Sequence, residues 1–201
     1  MPQLFGHSRL GWLKVPLLIT ILALTGCSSV SWSSLYPINW FTSSIKISDS
    51  GVGQINKMTP MTEQIISAAL DNRYHFCSSM QIKQGELIHL FQGMKNGQAK
   101  IAIYGIENGK VKRIKVMDED VKTVWETQIG TLFSQIYQNA AQGSCHTDPT
   151  ETDMLTINCV SPQSARVIYR FTGKWNGPKH LVPSNDILAN WKVSDIIWSA
   201  Q

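Results

Sequence analysis

The sequence predicts an α+β domain: an antiparallel sheet, made of a meander plus C-terminal strands, with two main helices packed on it. Three observations predict it. Asn96-Gly97 and Asn108-Gly109 each separate segments in which apolar and polar residues alternate. Two other segments repeat their apolar residues at helical spacing, and strand-like runs close the chain.

The first helix is expected from Thr59-Pro60, which offers an N-cap and a first-turn proline. Glu63 suits the positive helix start, and Met61, Ile65, Ile66, Ala69 and Leu70 form the apolar stripe. Leu87 to Gln92, Gln98 to Tyr104 and Val111 to Met117 then read as a three-stranded meander. Asn-Gly is the strongest short hairpin signal, because both residues tolerate positive φ. Ala99, Ile101 and Ile103 alternate with Lys100, Ala102 and Tyr104, and Ile114 and Val116 alternate with Lys112, Arg113 and Lys115 around them. One buried and one wet face is the implied state. The second helix is expected near Thr131, with Phe133, Ile136, Tyr137, Ala140 and Ala141 on one face and Gly143 as its stop. Met154 to Val160, Ala165 to Phe171 and Trp191 to Trp198 are the last strands. The order of elements suggests a two-fold repeat.

Arg9 and Lys14 precede Val15 to Leu24, an apolar stretch broken by Thr20. A bilayer span needs roughly 20 apolar residues, so this shorter stretch fits an export signal. Leu24-Thr25-Gly26-Cys27 follows and resembles the bacterial lipobox. The resemblance implies cleavage before Cys27 and lipidation of its sulfur and amine. Each buried methylene is worth roughly 0.8 kcal/mol, so several acyl chains hold such a protein firmly. Ser28, where an aspartate retains such proteins in the inner membrane, implies sorting to the outer membrane. The expected organisation is a signal over 1–26, a lipidated serine-rich tether over 27–44 and a single periplasmic domain over 45–201. Serine-rich chain makes a flexible tether. Its Trp32, Tyr36, Trp40 and Phe41 either lie on the lipid surface or dock into the domain.

The formal charge is +4, but without Arg9 and Lys14 there remain 16 basic against 14 acidic residues. That balance leaves no basic stripe and points away from nucleic acid. In an exported chain disulfides are permitted. With Cys27 acylated, Cys77, Cys145 and Cys159 allow three single bridges. Cys145 to Cys159 is the expected one, because it clamps a polar loop containing Asp148-Pro149. Cys77 is then a free thiol, expected to pack as a small apolar side chain.

Signals for chemistry are few. Ser43-Ser44-Ile45-Lys46 matches the Ser-x-x-Lys pattern, but it lies in the tether and lacks companion motifs. His146, Asp148, Glu151 and Asp153 face either a cation or only solvent, and match no metal-site spacing. Asp118-Glu119-Asp120 reads as a solvated turn. The long stretch from Gly173 to Asn190 is a candidate binding loop, with Trp175 as its anchor beside Asn176; the alternative is a loop folded over the sheet edge with Trp175 as a plug. Within it Ser184 is placed to cap a short helix from Asn185. No catalytic residue, metal ligand or cofactor beyond the covalent lipid is assigned.

Several residues together carry a family resemblance. They are the lipobox, Trp32-Ser33-Ser34-Leu35, Asn39-Trp40-Phe41, Gly51-Val52-Gly53, Ile129-Gly130-Thr131, Phe171-Thr172-Gly173, Trp175, Gly177-Pro178 and Asn190-Trp191-Lys192-Val193-Ser194 with Ile196-Ile197-Trp198. The chain thereby resembles the RpoE-regulated, YfeY-like lipoprotein family of enterobacterial envelopes. The resemblance implies an outer-membrane lipoprotein facing the periplasm and linked to envelope stress. It transfers no catalytic residue. The expected function is a non-enzymatic interaction or accessory module with an envelope protein as partner. A carrier of a small apolar ligand and an enzyme using the acidic loop are the rival readings.

Overall fold

The structure is a computed structural model that describes residues 44–83, 85–148 and 154–200. Within them the chain is mostly β, which corrects the expected α+β class with two main helices. Twelve strands accompany three helices of seven, four and four residues.

The shortening of both helices has local causes. Pro60 bridges Lys110 instead of opening a helix, and the Met61 N–H donates to Gly109 O at 2.9 Å. Helix α1 (Glu63–Ala69) therefore starts late. It ends where Asp71 and Asn72 take φ of 55° and 52°, outside the right-handed helical region. Met61, Ile66 and Leu70 are buried as the stripe requires, whereas Ile65 faces solvent. Helix α2 (Phe133–Ile136) makes a single turn rather than continuing to Gly143. Tyr137 turns to extended backbone, so that its ring packs 5.1 Å from Phe133 and 6.2 Å from Phe171. Its hydroxyl donates to Val160 O at 2.7 Å. These tertiary contacts outweigh a weak local preference for helix.

A small sheet forms from β1 (Lys46–Ile47), β2 (Gly51–Val52), β3 (Ile55–Asn56) and β8 (Lys122–Thr123), in the order β3-β2-β1-β8. The large sheet begins with β4 (His75–Lys83), β5 (Glu86–Lys95), β6 (Gln98–Ile106) and β7 (Val111–Val116). It continues with β9 (His146–Asp148), β10 (Met154–Ser161), β11 (Ser164–Lys174) and β12 (Lys192–Ser199). Its order is β4-β5-β6-β7-β12-β11-β10-β9, antiparallel throughout. Two four-stranded meanders thus meet through their last strands, β7 and β12, and each is preceded by a short helix. The doubled order expected from the sequence is present in the topology. Asn96 and Gly97 take φ of 53° and 74°, the two positive values that a tight hairpin between β5 and β6 requires. Helix α3 (Asn185–Leu188) follows Ser184 as its N-cap.

One face of the large sheet makes the core. Ile101, Ile103, Ile114, Val116, Tyr169, Phe171, Ile196 and Trp198 pack there against Ile47, Val52 and Ile55 of the small sheet, Ile66 of α1, Phe133 of α2 and Leu188 of α3. The Trp198 indole N–H donates to Asp49 O at 3.0 Å, tying the two sheets together.

Asp118-Glu119-Asp120, expected as a solvated turn, is solvated only at its last two residues. Asp118 is 1% exposed, and its Oδ2 accepts from the Tyr74 hydroxyl at 2.8 Å and from Lys95 Nζ at 3.3 Å. Burial, then the bond to Asp118, pushes the Tyr74 phenol up. Lys95 also donates to Asp120 at 2.6 Å, and Lys100 to Glu119 at 2.7 Å. These bonds hold both exposed carboxyls below the usual carboxylate range. A depressed carboxyl pKa gives stability that is present above the unfolded value and lost as pH falls through the folded one. A shallow loss of melting temperature is therefore expected below about pH 4. Thermal denaturation across that range should show a flatter acid limb in the Lys95→Met, Lys100→Met double variant. An unchanged slope would contradict the assignment.

The bridge between Cys145 and Cys159 is formed, with Cα atoms 4.2 Å apart. Cys77, expected as a packed apolar side chain, is a free and exposed thiol. It sits on β4, paired with Gln92, and β4 is the edge of the large sheet among the described strands.

Candidate functional site

Strand alternation sends every second side chain of the large sheet away from the core. Leu90, Ala102 and Ile197 are buried on this second face, yet they stand outside the core cluster. The described small sheet and helices pack on the other side, and two clefts open here. The register brings distant residues into rows. Tyr104 pairs with Arg113 and Arg113 with Ser199, while Asp195 pairs with Arg170, Arg170 with Asn158 and Asn158 with His146.

The second row is a charge cluster. Arg170 Nη2 donates to Asp148 Oδ2 at 2.8 Å, and Asn158 Nδ2 lies 3.5 Å from the same oxygen. Arg170 Nη1 lies 3.6 Å and Lys115 Nζ 3.7 Å from Asp195 Oδ1. Ser194 Oγ donates to Asp195 Oδ2 at 3.1 Å. The side chains of Arg170 and Asp195 are only 12% and 10% exposed. Burying such charges is tolerable because each has an opposite charge beside it.

The pairing is incomplete, however. Arg113 Nε, Arg170 Nε, Asn158 Oδ1 and Asp195 Oδ1 are buried with no hydrogen-bond partner. These are four of the five such atoms among the described residues, and all four lie on this face; the fifth, His89 Nδ1, belongs to a ring 4.4 Å from that of Phe91. An unpaired buried polar group costs about 1–3 kcal/mol, so clusters of them mark places that take up solvent or ligand groups. Arg113 lies between the two clefts. One, of about 340 Å³, is bordered by Tyr104, Ile88, Ile106 and Lys112. The other, of about 310 Å³, is bordered by His146, Asp148, Asn158, Ile197 and Ser199. The arrangement can hold a polar or charged group. Among the described residues of this face no nucleophile is hydrogen-bonded to a general base, although on the β4–β5 pair Ser78 Oγ and His89 Nε2 lie 2.7 Å apart.

The residues singled out in the sequence distribute unevenly. Cys27 and the aromatic residues of the tether lie outside the described residues, as do Glu151 and Asp153. His146 and Asp148 do join the face, as part of β9, with Asp148 held by Arg170. Among the described residues no group of three His, Cys, Asp or Glu is placed to hold a metal ion. Trp175 is half-buried against the core cluster, and its indole N–H donates to Pro178 O at 3.1 Å within its own loop. The ring lies so close over Gly177 that a Cβ there would fall 2.2 Å from it. Asn176 is exposed beside it. Sequence reasoning missed Arg113, Lys115, Arg170 and Asp195 as a group. The available signal was charge inside otherwise apolar strands, such as Asp195 within Lys192-Val193-Ser194-Asp195-Ile196-Ile197-Trp198.

Fold and site together define a mostly-β protein whose large antiparallel sheet is packed on one face by the described small sheet and helices and carries a partly paired polar row on the other. The chain belongs to the DUF1131 family: the family model, described as a protein of unknown function, matches residues 29–200. It is 41% identical over 189 residues to the uncharacterized protein YfeY of Escherichia coli (strain K12), an alignment covering 92% of this chain and 97% of that one. The crystal structure of yfeY from Escherichia coli superposes with a TM-score of 0.67 at 36% identity, over 77% of this chain and 99% of the crystallised one. These relationships agree with the YfeY-like resemblance read from the sequence.

Proposed function

We propose that the protein is an outer-membrane lipoprotein, anchored through Cys27 and facing the periplasm, that serves the envelope-stress response as a non-catalytic binding module. Its working surface is the second face of the large sheet, and its ligand is anionic. The observation that carries this reading is Arg113, which lies between two clefts with its buried Nε unpartnered and with no carboxylate paired to it among the described residues. The lipobox and the serine at position 28 support the anchor and its destination, and the RpoE link rests on the family resemblance.

Complementation of a deletion strain carrying an envelope-stress reporter tests the reading. Thr172→Arg and Ser199→Arg place bulk on the second face, whereas Met58→Arg and Ile65→Arg change exposed positions elsewhere. The first pair should resemble the deletion, and the second pair should restore wild-type output. Cys27→Ala should lose both palmitate labelling and complementation. Equal complementation by all four surface variants would remove the second face from the function, and undiminished labelling of Cys27→Ala would remove the anchor.

A further inference from the structure

We propose that the cleft bordered by β5, β6 and β7 binds a monomeric anionic amphiphile, with a carboxylate or phosphate head on Arg113 and an apolar body along Ile88, Tyr104 and Ile106. This rests on the binding-module reading above and gives it a ligand class. A guanidinium stays charged at every pH at which proteins fold. Arg113 is half-buried, and withdrawing part of its guanidinium from water without a counter-charge is unfavourable. The neighbouring cations have their carboxylates: Arg170 has Asp148 and Asp195, Lys115 has Asp195, and Lys112 has Glu86. Among the described residues, Arg113 pairs with no carboxylate, and its buried Nε has no partner. What holds it is the ring of Tyr104, whose centroid lies 5.7 Å from the guanidinium carbon. Ring contact orients the charge but does not neutralise it.

The space beside this charge has a matching character. At about 340 Å³ it reaches the lower end of the range for small-molecule sites. Ile88 and Ile106 give it apolar walls, Ile106 being 38% exposed although large and hydrophobic. Lys112 and Glu86 cancel one another at the rim, which leaves Arg113 as the uncompensated charge facing the cleft. A neutral alkyl compound would leave that charge unmet, and a bare inorganic anion would leave the apolar walls wet. A monoanion joined to an apolar body satisfies both. The guanidinium fork also suits the paired oxygens of a carboxylate or phosphate.

The test uses the full chain, isoleucine-methyl labelled, in nanodiscs of neutral phosphatidylcholine. Octanoate, octyl phosphate, octanol and inorganic phosphate are titrated separately while the Ile88 and Ile106 methyl signals are followed by NMR. Octanoate and octyl phosphate should shift both signals saturably, and octanol and inorganic phosphate should bind at least about tenfold more weakly, the loss expected for one charge-assisted contact. Arg113→Gln should bring the two anions to the octanol level. Ile106→Glu, a surface change that sets a carboxylate in the cleft, should do the same even if Arg113→Gln folds poorly. Equal binding of octanol, or unchanged anion binding in Ile106→Glu, would overturn the proposal. Shifts produced by phosphatidylglycerol nanodiscs alone would overturn it in favour of a membrane headgroup. If no amphiphile moves these methyls the amphiphile falls, whereas the complementation test decides the second face independently.

Discussion

Replacing Trp198 by alanine is expected to destabilise the protein by about 3–5 kcal/mol, the usual cost of removing a buried large aromatic. Trp198 is fully buried on β12, paired with Ile114 of β7 and Val167 of β11. It therefore stands at the seam where the two meanders join. Its loss would open a cavity there and also remove the indole bond to Asp49 O, which ties down the small sheet. Urea denaturation should show the loss, and amide exchange should quicken first around residues 47–52. Trp198→Phe keeps most of the packing and loses mainly the hydrogen bond, so its cost should be smaller, nearer 1 kcal/mol from the bond itself. A Trp198→Ala penalty no larger than that of Trp198→Phe would show that the seam is not packed as described.

Breaking the bridge with Cys145→Ser and Cys159→Ser is expected to cost about 3 kcal/mol, from the loop-closure estimate for a ring of this length. The sequence separation is 14 residues, and the loop contains β9, the last strand of the large sheet. Loss of stability should therefore be accompanied by early exchange of residues 146–148. Asp148 would be released from Arg170, so the polar row should suffer beyond the global loss. Alkylation followed by mass spectrometry of the unreduced protein should mark Cys77 alone and find Cys145 joined to Cys159. A peptide linking Cys77 to either would contradict the arrangement.

Much of the sheet was legible because its signals are local. Asn96-Gly97 and Asn108-Gly109 place two turns, and Met154 to Val160, Ala165 to Phe171 and Trp191 to Trp198 all fall within observed strands or a residue outside them. The strand β4 escaped because His75 to Lys83 alternates poorly, its Cys77-Ser78-Ser79 stretch giving neither face an apolar pattern. The two-residue strands of the small sheet carry no periodicity at all. The helices were overread because spacing reports which residues face the core, not how many turns the backbone makes. Met61, Ile66 and Leu70 are buried as a helix would bury them, although Met61 precedes α1 and Leu70 is its C-cap. At Tyr137 contacts with Phe171 and Val160 decided the backbone, and both lie far along the chain.

The polar row was illegible for a different reason. Lys112, Arg113 and Lys115 read as the wet side of a strand, and alternation with Ile114 and Val116 places Arg113 and Lys115 there correctly; Lys112 shares the parity of Ile114 and reaches solvent where the pairing of β6 with β7 is shifted between Tyr104 and Gly105. What alternation cannot reveal is that β12 lies beside β7, bringing Asp195 to Lys115 and, through β11, to Arg170. Only that pairing shows which cations are compensated and leaves Arg113 without a carboxylate among the described residues. The bridge and the short helix after Ser184 were readable because each depends on a few neighbouring residues.

The central claim is that the second face of the large sheet is the surface occupied in the cell. Cysteine accessibility measures this directly, in a Cys77→Ser background with a maleimide that reacts with periplasmic thiols. Gln81→Cys and Lys192→Cys report on the second face, and Met58→Cys reports on an exposed position outside it. Labelling rates in intact cells should fall at positions 81 and 192 relative to the purified full-length protein, while position 58 labels equally in both. Equal rates at all three positions in cells and in the purified protein would contradict the claim.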